Sequence, residues 1–159
     1  MIIKNRVILA ALILSSFWLA SCNNANAIAD TNQAINAGNW SYVNRVKTPV
    51  NIDDLSSAYA IYINLRHTAD YKYSNIFLRI HTRNPDGKVT MERKEFRLAL
   101  PDGQWLGKGT GNMYSYQLPF KENFRFPKTG NYIFEIEQNM RDNPLKEVTD
   151  VGLRVEKLN

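Results

Sequence analysis

Ile76-Phe77-Leu78-Arg79-Ile80-His81 runs on into Asn84-Pro85-Asp86-Gly87, and this combination decides the fold. Ile76, Leu78 and Ile80 fall on every second residue, with Phe77, Arg79 and His81 on the opposite face, the period of a half-buried strand. Pro85 presets its φ and Gly87 tolerates a positive one, so the chain reverses there. Residues 88–100 then form the second arm of a hairpin. In that arm the apolar phase slips: Val89 and Met91 are odd, whereas Phe96, Leu98 and Leu100 are even. A β-bulge near residues 92–94 accommodates the slip, and two successive strands are the alternative.

The same alternation extends in both directions. Trp40, Tyr42 and Val43 mark a first short strand, and Tyr59, Ile61, Ile63 and Leu65 a longer one. Beyond the turn Pro101-Asp102-Gly103 come Trp105 and Leu106, then Tyr114, Tyr116, Leu118 and Phe120. Pro127-Lys128-Thr129-Gly130 is a further turn before Tyr132, Phe134 and Ile136, with Glu135 and Glu137 on the other face. Val151, Leu153 and Val155 close the series, with Arg154 and Glu156 predicted outward. A helical turn is conceivable only near residues 53–58. Short strands separated by Pro, Gly and Asp turns predict an all-β chain, a single antiparallel β-sandwich of jelly-roll type.

Before Trp40 the composition differs. Residues 1–6 carry Lys4 and Arg6 and no acid, and an apolar run interrupted by Ser15 and Ser16 follows. That run is shorter than the ~20 residues of a spanning helix and suits the apolar core of a secretory signal peptide. It ends in Leu19-Ala20-Ser21-Cys22, which resembles the lipobox of bacterial lipoprotein signal peptides. An ordinary secretory peptide with a cysteine at its border is the plainer alternative. The resemblance implies cleavage before Cys22, a diacylglyceryl thioether on its sulfur and acylation of the new amino group, with no other cofactor. Residues 1–21 are thus a signal peptide, residues 22–38, rich in Asn and Ala, a flexible tether or a frayed helix across 25–37, and residues 39–159 the folded domain. In lipoproteins of this kind an Asp directly after the cysteine is associated with inner-membrane retention, and an acidic cluster resembles a surface-export signal. Asn23-Asn24-Ala25-Asn26 has neither, so the expected location is the outer membrane, on its periplasmic face.

Losing Lys4 and Arg6 with the leader lowers the formal charge from +5 to +3, an ordinary value with both signs dispersed that does not argue for nucleic acid. Cys22 is the sole cysteine, so packing rather than an intramolecular disulfide stabilises the domain. His67 and His81 lack metal-ligand spacing and read as residues of a solvated face, and the acids Asp53, Asp54, Glu135 and Glu137 read as surface charge. Gly107-Lys108-Gly109-Thr110-Gly111 lacks the spacing of a phosphate loop and reads as a flexible hairpin loop. No G-x-S-x-G elbow occurs, and an acylated Cys22 leaves no thiol nucleophile, so no enzyme chemistry is expected. Trp40, Trp105, Tyr114 and Tyr116 offer the rival idea of a glycan-binding lipoprotein with an exposed stacking platform, against the plainer reading of core aromatics.

Gln138-Asn139-Met140-Arg141-Asp142-Asn143-Pro144-Leu145, followed by Asp150-Val151-Gly152-Leu153-Arg154-Val155-Glu156, is distinctive. With the lipobox ahead of it, the chain resembles the gliding-motility-associated lipoprotein family GldH of Bacteroidetes. The resemblance implies a non-enzymatic outer-membrane lipoprotein whose partners are other gliding and protein-secretion components, with Cys22 as the lipid site. It departs from the family pattern at Lys146-Glu147, where a Pro/Gly-type pair makes a tighter turn. Read from the residues, Arg141-Asp142-Asn143-Pro144 joins two strands: Asp142 or Asn143 closes a turn on nearby N–H groups, Arg141 ion-pairs within the loop and Pro144 stiffens its exit. This loop is either self-satisfied structure or a docking edge for a partner.

Overall fold

The computed structural model describes residues 26–158. In chain order the strands are β1 (Ala27–Asp30), β2 (Gln33–Ala34), β3 (Asn39–Trp40), β4 (Val46–Ile52), β5 (Ala58–Thr68) and β6 (Asn75–Arg83). They continue as β7 (Val89–Arg97), β8 (Lys108–Thr110), β9 (Met113–Phe124), β10 (Gly130–Gln138), β11 (Leu145–Lys146) and β12 (Val148–Leu158). One antiparallel sheet runs β1-β12-β5-β9-β8, with β2 also paired to β12, and the other runs β4-β10-β6-β7. A small third pairing joins β11 to β3. The two large sheets face each other across one apolar core, so the chain is an antiparallel β-sandwich.

Alternation explains the layers. Ile61, Ile63 and Leu65 of β5, Ile76, Leu78 and Ile80 of β6, Tyr132, Phe134 and Ile136 of β10, and Val151, Leu153 and Val155 of β12 are all buried together. Side chains two residues apart share a face of a strand, so each strand contributes a row to the core. Thr31 Oγ1 bonds Thr48 Oγ1 across the two sheets at 2.9 Å.

The register gives the sandwich two unlike ends. At one, Leu158 lies opposite Ala58, Ile52 opposite Gly130, Tyr59 opposite Phe124 and Arg83 opposite Val89. The chain leaves the described fold there, because the carbonyl of Asn26 accepts the Lys157 N–H at 2.8 Å. At the far end Val148 lies opposite His67, Thr68 opposite Met113 and Ile136 opposite Val46, and the loop 139–144 sits beside β3 and the 69–74 loop. The eleven residues of β12 span the length between them, about 35 Å.

Several local expectations are corrected. Residues 27–38 are neither tether nor helix: β1 and β2 pair with β12, and a short 3-10 turn at Asn36–Gly38 follows. The reason lies at Gly152, where the backbone of Thr31 passes so close that a Cβ would stand 1.8 Å from its carbonyl oxygen. The first strand shrinks to Asn39–Trp40, with Tyr42 and Val43 exposed in the turn after it. No bulge interrupts β7, which pairs with β6 residue for residue from Val89 to Arg97. Val89 and Met91 simply face outward on this edge strand, while Lys94 on the inner phase donates to the carbonyls of Pro119 (2.7 Å) and Phe120 (3.1 Å) on the other sheet. Residues 53–57 make a turn rather than a helix, because Asp54 Oδ1 accepts from the N–H of Ser56 at 2.8 Å and closes it. Arg154 is not outward but buried, with Asp30 and Glu156 bound to its guanidinium. The signal peptide 1–21, its Leu19-Ala20-Ser21-Cys22 and residues 23–25 lie outside the described residues.

Candidate functional site

The loop after β10 is organised from within by Gln138, the last residue of that strand, which is fully buried. Its Oε1 accepts the Met140 N–H at 2.8 Å, and its Nε2 donates to the Asp142 carbonyl at 3.1 Å and to Asn143 Oδ1 at 3.4 Å. A buried amide must be satisfied on both atoms, and folding the loop over it achieves that. Beyond the cis Asn143-Pro144 bond, Leu145 drops into the core opposite Trp40.

Asp142 and Asn143 do not close the loop locally as expected. Asn143 Oδ1 accepts the N–H of Tyr42 at 3.1 Å, and Asp142 Oδ2 accepts the hydroxyl of Tyr73 at 2.6 Å. Lys72 Nζ stands 3.6 Å from the same carboxylate, and Arg141 has no ion pair among the described residues. Glu147, in the Lys146-Glu147 pair, adopts φ 70°, the conformation a glycine takes freely; its carboxylate accepts the Thr68 hydroxyl at 2.5 Å. Arg141, Asn143 and Pro144 thus remain exposed on a loop fixed at both ends. Beside them is a depression of about 560 Å³ that gathers Asp70, Lys72, Tyr73, Asp142 and Lys146.

The Tyr73 hydroxyl above all holds the Asp142 carboxyl below its ordinary value; desolvation opposes it, and the Lys72 charge adds to the lowering. A carboxyl with a lowered folded-state pKa binds fewer protons than the unfolded chain does. Its contribution is therefore complete above the ordinary carboxylate value of 3.8 and disappears as pH falls through the lowered one. Tyr73→Phe is expected to move the Asp142 titration, followed by carboxyl carbon NMR, back toward 3.8. An unmoved titration curve would show that the hydroxyl does not bind that carboxylate in solution.

Alongside lies a larger cleft of about 870 Å³, whose walls include Ile35, Trp40, Tyr42, Arg45 and Glu137. Glu137 was expected as surface charge, yet it is 6% exposed. It meets Arg45 Nε at 2.8 Å, Arg79 at 3.2 Å and His81 Nε2 at 3.1 Å. Glu135 pairs with Arg45 at 3.3 Å and Lys47 at 3.5 Å. Both carboxylates are paired with cations, an arrangement that ties β10 to β6 and to the segment leading into β4.

The aromatics do not make a platform. Trp40 is fully buried with its Nε1 donating to the Asn44 carbonyl at 2.9 Å, and Tyr116 is buried. Trp105 and Tyr114 are half-buried against the core. Trp105, Tyr114 and Tyr116, with Tyr71, close around His67, which is fully buried and not on a solvated face. His67 Nδ1 bonds the Thr68 carbonyl at 2.7 Å and Nε2 the Tyr116 hydroxyl at 3.0 Å. Burial pushes the imidazole below its usual value and the Tyr116 phenol up to about 12, so both are neutral near pH 7. The Tyr116 hydroxyl also donates to the Leu98 carbonyl at 3.0 Å, so both ring nitrogens and the phenol are engaged within the protein and neither nitrogen is left for a metal. The glycine run is explained by the same ring: a Cβ at Gly107 would stand 2.5 Å from Tyr116, and residues 108–110 pair with β9 as strand.

Tyr73 and Arg154 were not legible as organising residues, since each acts on a group remote in sequence, whereas Gln138 acts on the loop that follows it and only its burial was hidden. Gly152 carried a readable signal, because a glycine inside an alternating strand marks a close backbone approach.

Comparison with known proteins follows the same residues. A family model described as GldH lipoprotein matches residues 27–155, the span from β1 through most of β12. The chain is 40% identical over 111 residues to a gliding motility lipoprotein GldH homolog of Christiangramia forsetii, covering 65% of this chain and 68% of that protein. It is 29% identical over 161 residues to gliding motility lipoprotein GldH of Flavobacterium johnsoniae, covering 97% of each. Among solved structures, the VP2 subviral particle of infectious bursal disease virus aligns with a TM-score of 0.35 and 15% identity over 84% of this chain and 32% of that one, too slight a likeness to carry weight. The match begins at the strand that Gly152 and Arg154 hold in place and runs through the Gln138 loop: the chain belongs to the GldH lipoprotein family.

Proposed function

We infer that this protein is a non-enzymatic lipoprotein of the cell envelope, a component or assembly factor of the gliding machinery and the protein-secretion apparatus coupled to it. Acylated Cys22 tethers it, at the periplasmic face of the outer membrane. Its mechanism is docking: the exposed Arg141, Asn143 and Pro144 engage another envelope protein. The observation that carries the reading is the placement of this loop at the end of the sandwich opposite Asn26. A domain held at one end presents the other to partners, and loops on a rigid sheet are where binding concentrates. The names of the relatives support the gliding context.

The test is photo-cross-linking in living cells from a reactive amino acid at position 141, followed by identification of the attached proteins. Gliding or secretion components are the expected products; recovery of sugar-uptake components alone would defeat the reading. For the anchor, Cys22→Ala is expected to move the protein from the membrane fraction to the soluble envelope fraction. Retention unchanged by that substitution would refute acylation at Cys22.

A further inference from the structure

Three features meet where the chain leaves the fold. First, the fold begins at once: Asn26 is already bonded to Lys157, so residues 23–25 alone separate it from Cys22. Even fully extended, that link spans at most about 14 Å. Second, this end carries large apolar side chains in the open. Ile28 is 41% exposed on β1, Leu55 41% on the turn joining the two sheets, and Leu158 37% at the last residue of β12. Third, two lysines of this end are paired with carboxylates. Lys157 meets Asp54 at 2.6 Å and Lys128 meets Asp86 at 2.9 Å. Each pair holds its carboxyl below the usual carboxylate range, Asp54 through Lys157 and its two serines, Asp86 mainly through Lys128.

We propose that this end of the sandwich rests on the lipid surface in which the Cys22 lipid is embedded, with Ile28, Leu55 and Leu158 in the headgroup region. The proposal rests on the acylation of Cys22 inferred above and goes beyond it, from a tether to a fixed orientation. A link this short keeps the end permanently at high local concentration beside the bilayer, so a few apolar side chains suffice to hold it there. On zwitterionic lipid the contact rests on the apolar side chains and is insensitive to salt. β12 then stands between the bilayer and the loop at residues 141–144, holding that loop about 35 Å away.

The native chain has one cysteine, and acylation blocks it, so a second cysteine accepts a fluorescent label uniquely. The purified lipoprotein carrying Leu55→Cys, Leu158→Cys or Arg141→Cys is labelled and reconstituted into vesicles of phosphatidylethanolamine and phosphatidylcholine containing quencher-bearing lipids. All three positions are exposed, so the fold tolerates the changes. Labels at 55 and 158 are expected to lose about half their emission or more to a headgroup-level quencher, in low and high salt alike, and the label at 141 almost none. Vesicle-floated protein with unquenched labels at 55 and 158, or with equal quenching at 141, overturns the proposed orientation while leaving the anchor intact. Protein that does not float with the vesicles overturns the anchor and the orientation together.

Discussion

Gly152→Ala is expected to lower the free energy of unfolding by about 1–3 kcal/mol, the usual range for forced overpacking, and to detach β1. The added methyl would lie 1.8 Å from the Thr31 carbonyl oxygen and 2.9 Å from the Asn32 Cα. Both are backbone atoms, which cannot swing aside as the tip of a side chain would. The segment has three holds on the sheet that depend on this approach: the Thr31 N–H to the Leu153 carbonyl at 2.9 Å, the Asn64 amide to the Thr31 carbonyl at 3.2 Å, and the Arg154 guanidinium to Asp30. Displacing the backbone at Thr31 weakens all three at once, and Arg154 is left buried beside a departing carboxylate. Urea denaturation reads the loss of stability, and amide hydrogen exchange at Thr31 reads the release directly. A variant with unaltered midpoint and undiminished protection of Thr31 would show that the crossing is looser than described. Freed residues also lengthen the link to Cys22, so the variant is expected to keep its membrane attachment while losing a fixed orientation on it.

Trp40→Ala is expected to have the larger effect on stability, about 3–5 kcal/mol. Trp40 is fully buried, and its ring cannot be replaced by collapse because Leu145 opposite it is held in the β3–β11 pairing. The substitution also strands the Asn44 carbonyl, which accepts the indole N–H. Since Trp40 underlies the loop bearing Arg141 and Pro144, the remaining folded molecules are expected to show raised hydrogen exchange at residues 139–145. Trp40→Phe restores most of the packing but not the hydrogen bond, and is expected to lie between the two. A loss below about 1 kcal/mol for the alanine variant would be incompatible with a fully buried indole.

The two substitutions separate the ends of the molecule. Gly152 governs how the first strand is held on the sheet, and Trp40 governs how firmly the far loop is presented. Docking that depends on orientation is expected to suffer from both, whereas membrane attachment alone is expected to survive both.

Alternation in the sequence was sufficient for the sandwich because it is a local property. Ile76, Leu78 and Ile80, or Tyr132, Phe134 and Ile136, declare one buried face whatever they eventually pack against, and Asn84-Pro85-Asp86-Gly87 declares a reversal through its own backbone preferences. The lipobox resemblance of Leu19-Ala20-Ser21-Cys22, on which the proposed anchor rests, is likewise local. Polar residues behave differently, because their burial depends on partners. Arg154 looked outward until Asp30, 124 residues away, came to lie beside it. Glu137 looked exposed until Arg45, Arg79 and His81 converged from two other segments of chain. His67 looked solvated until four aromatic rings closed over it. Residues 27–34 have too few large apolar side chains to call for structure by themselves, and pair as strands because Gly152 leaves room for their backbone. The sequence by itself thus determined the all-β class and the turns, which follow from neighbouring residues. Only the tertiary structure decided which charges are buried, where residue 26 enters the fold and which loop lies at the opposite end, because those depend on groups brought together from distant parts of the chain.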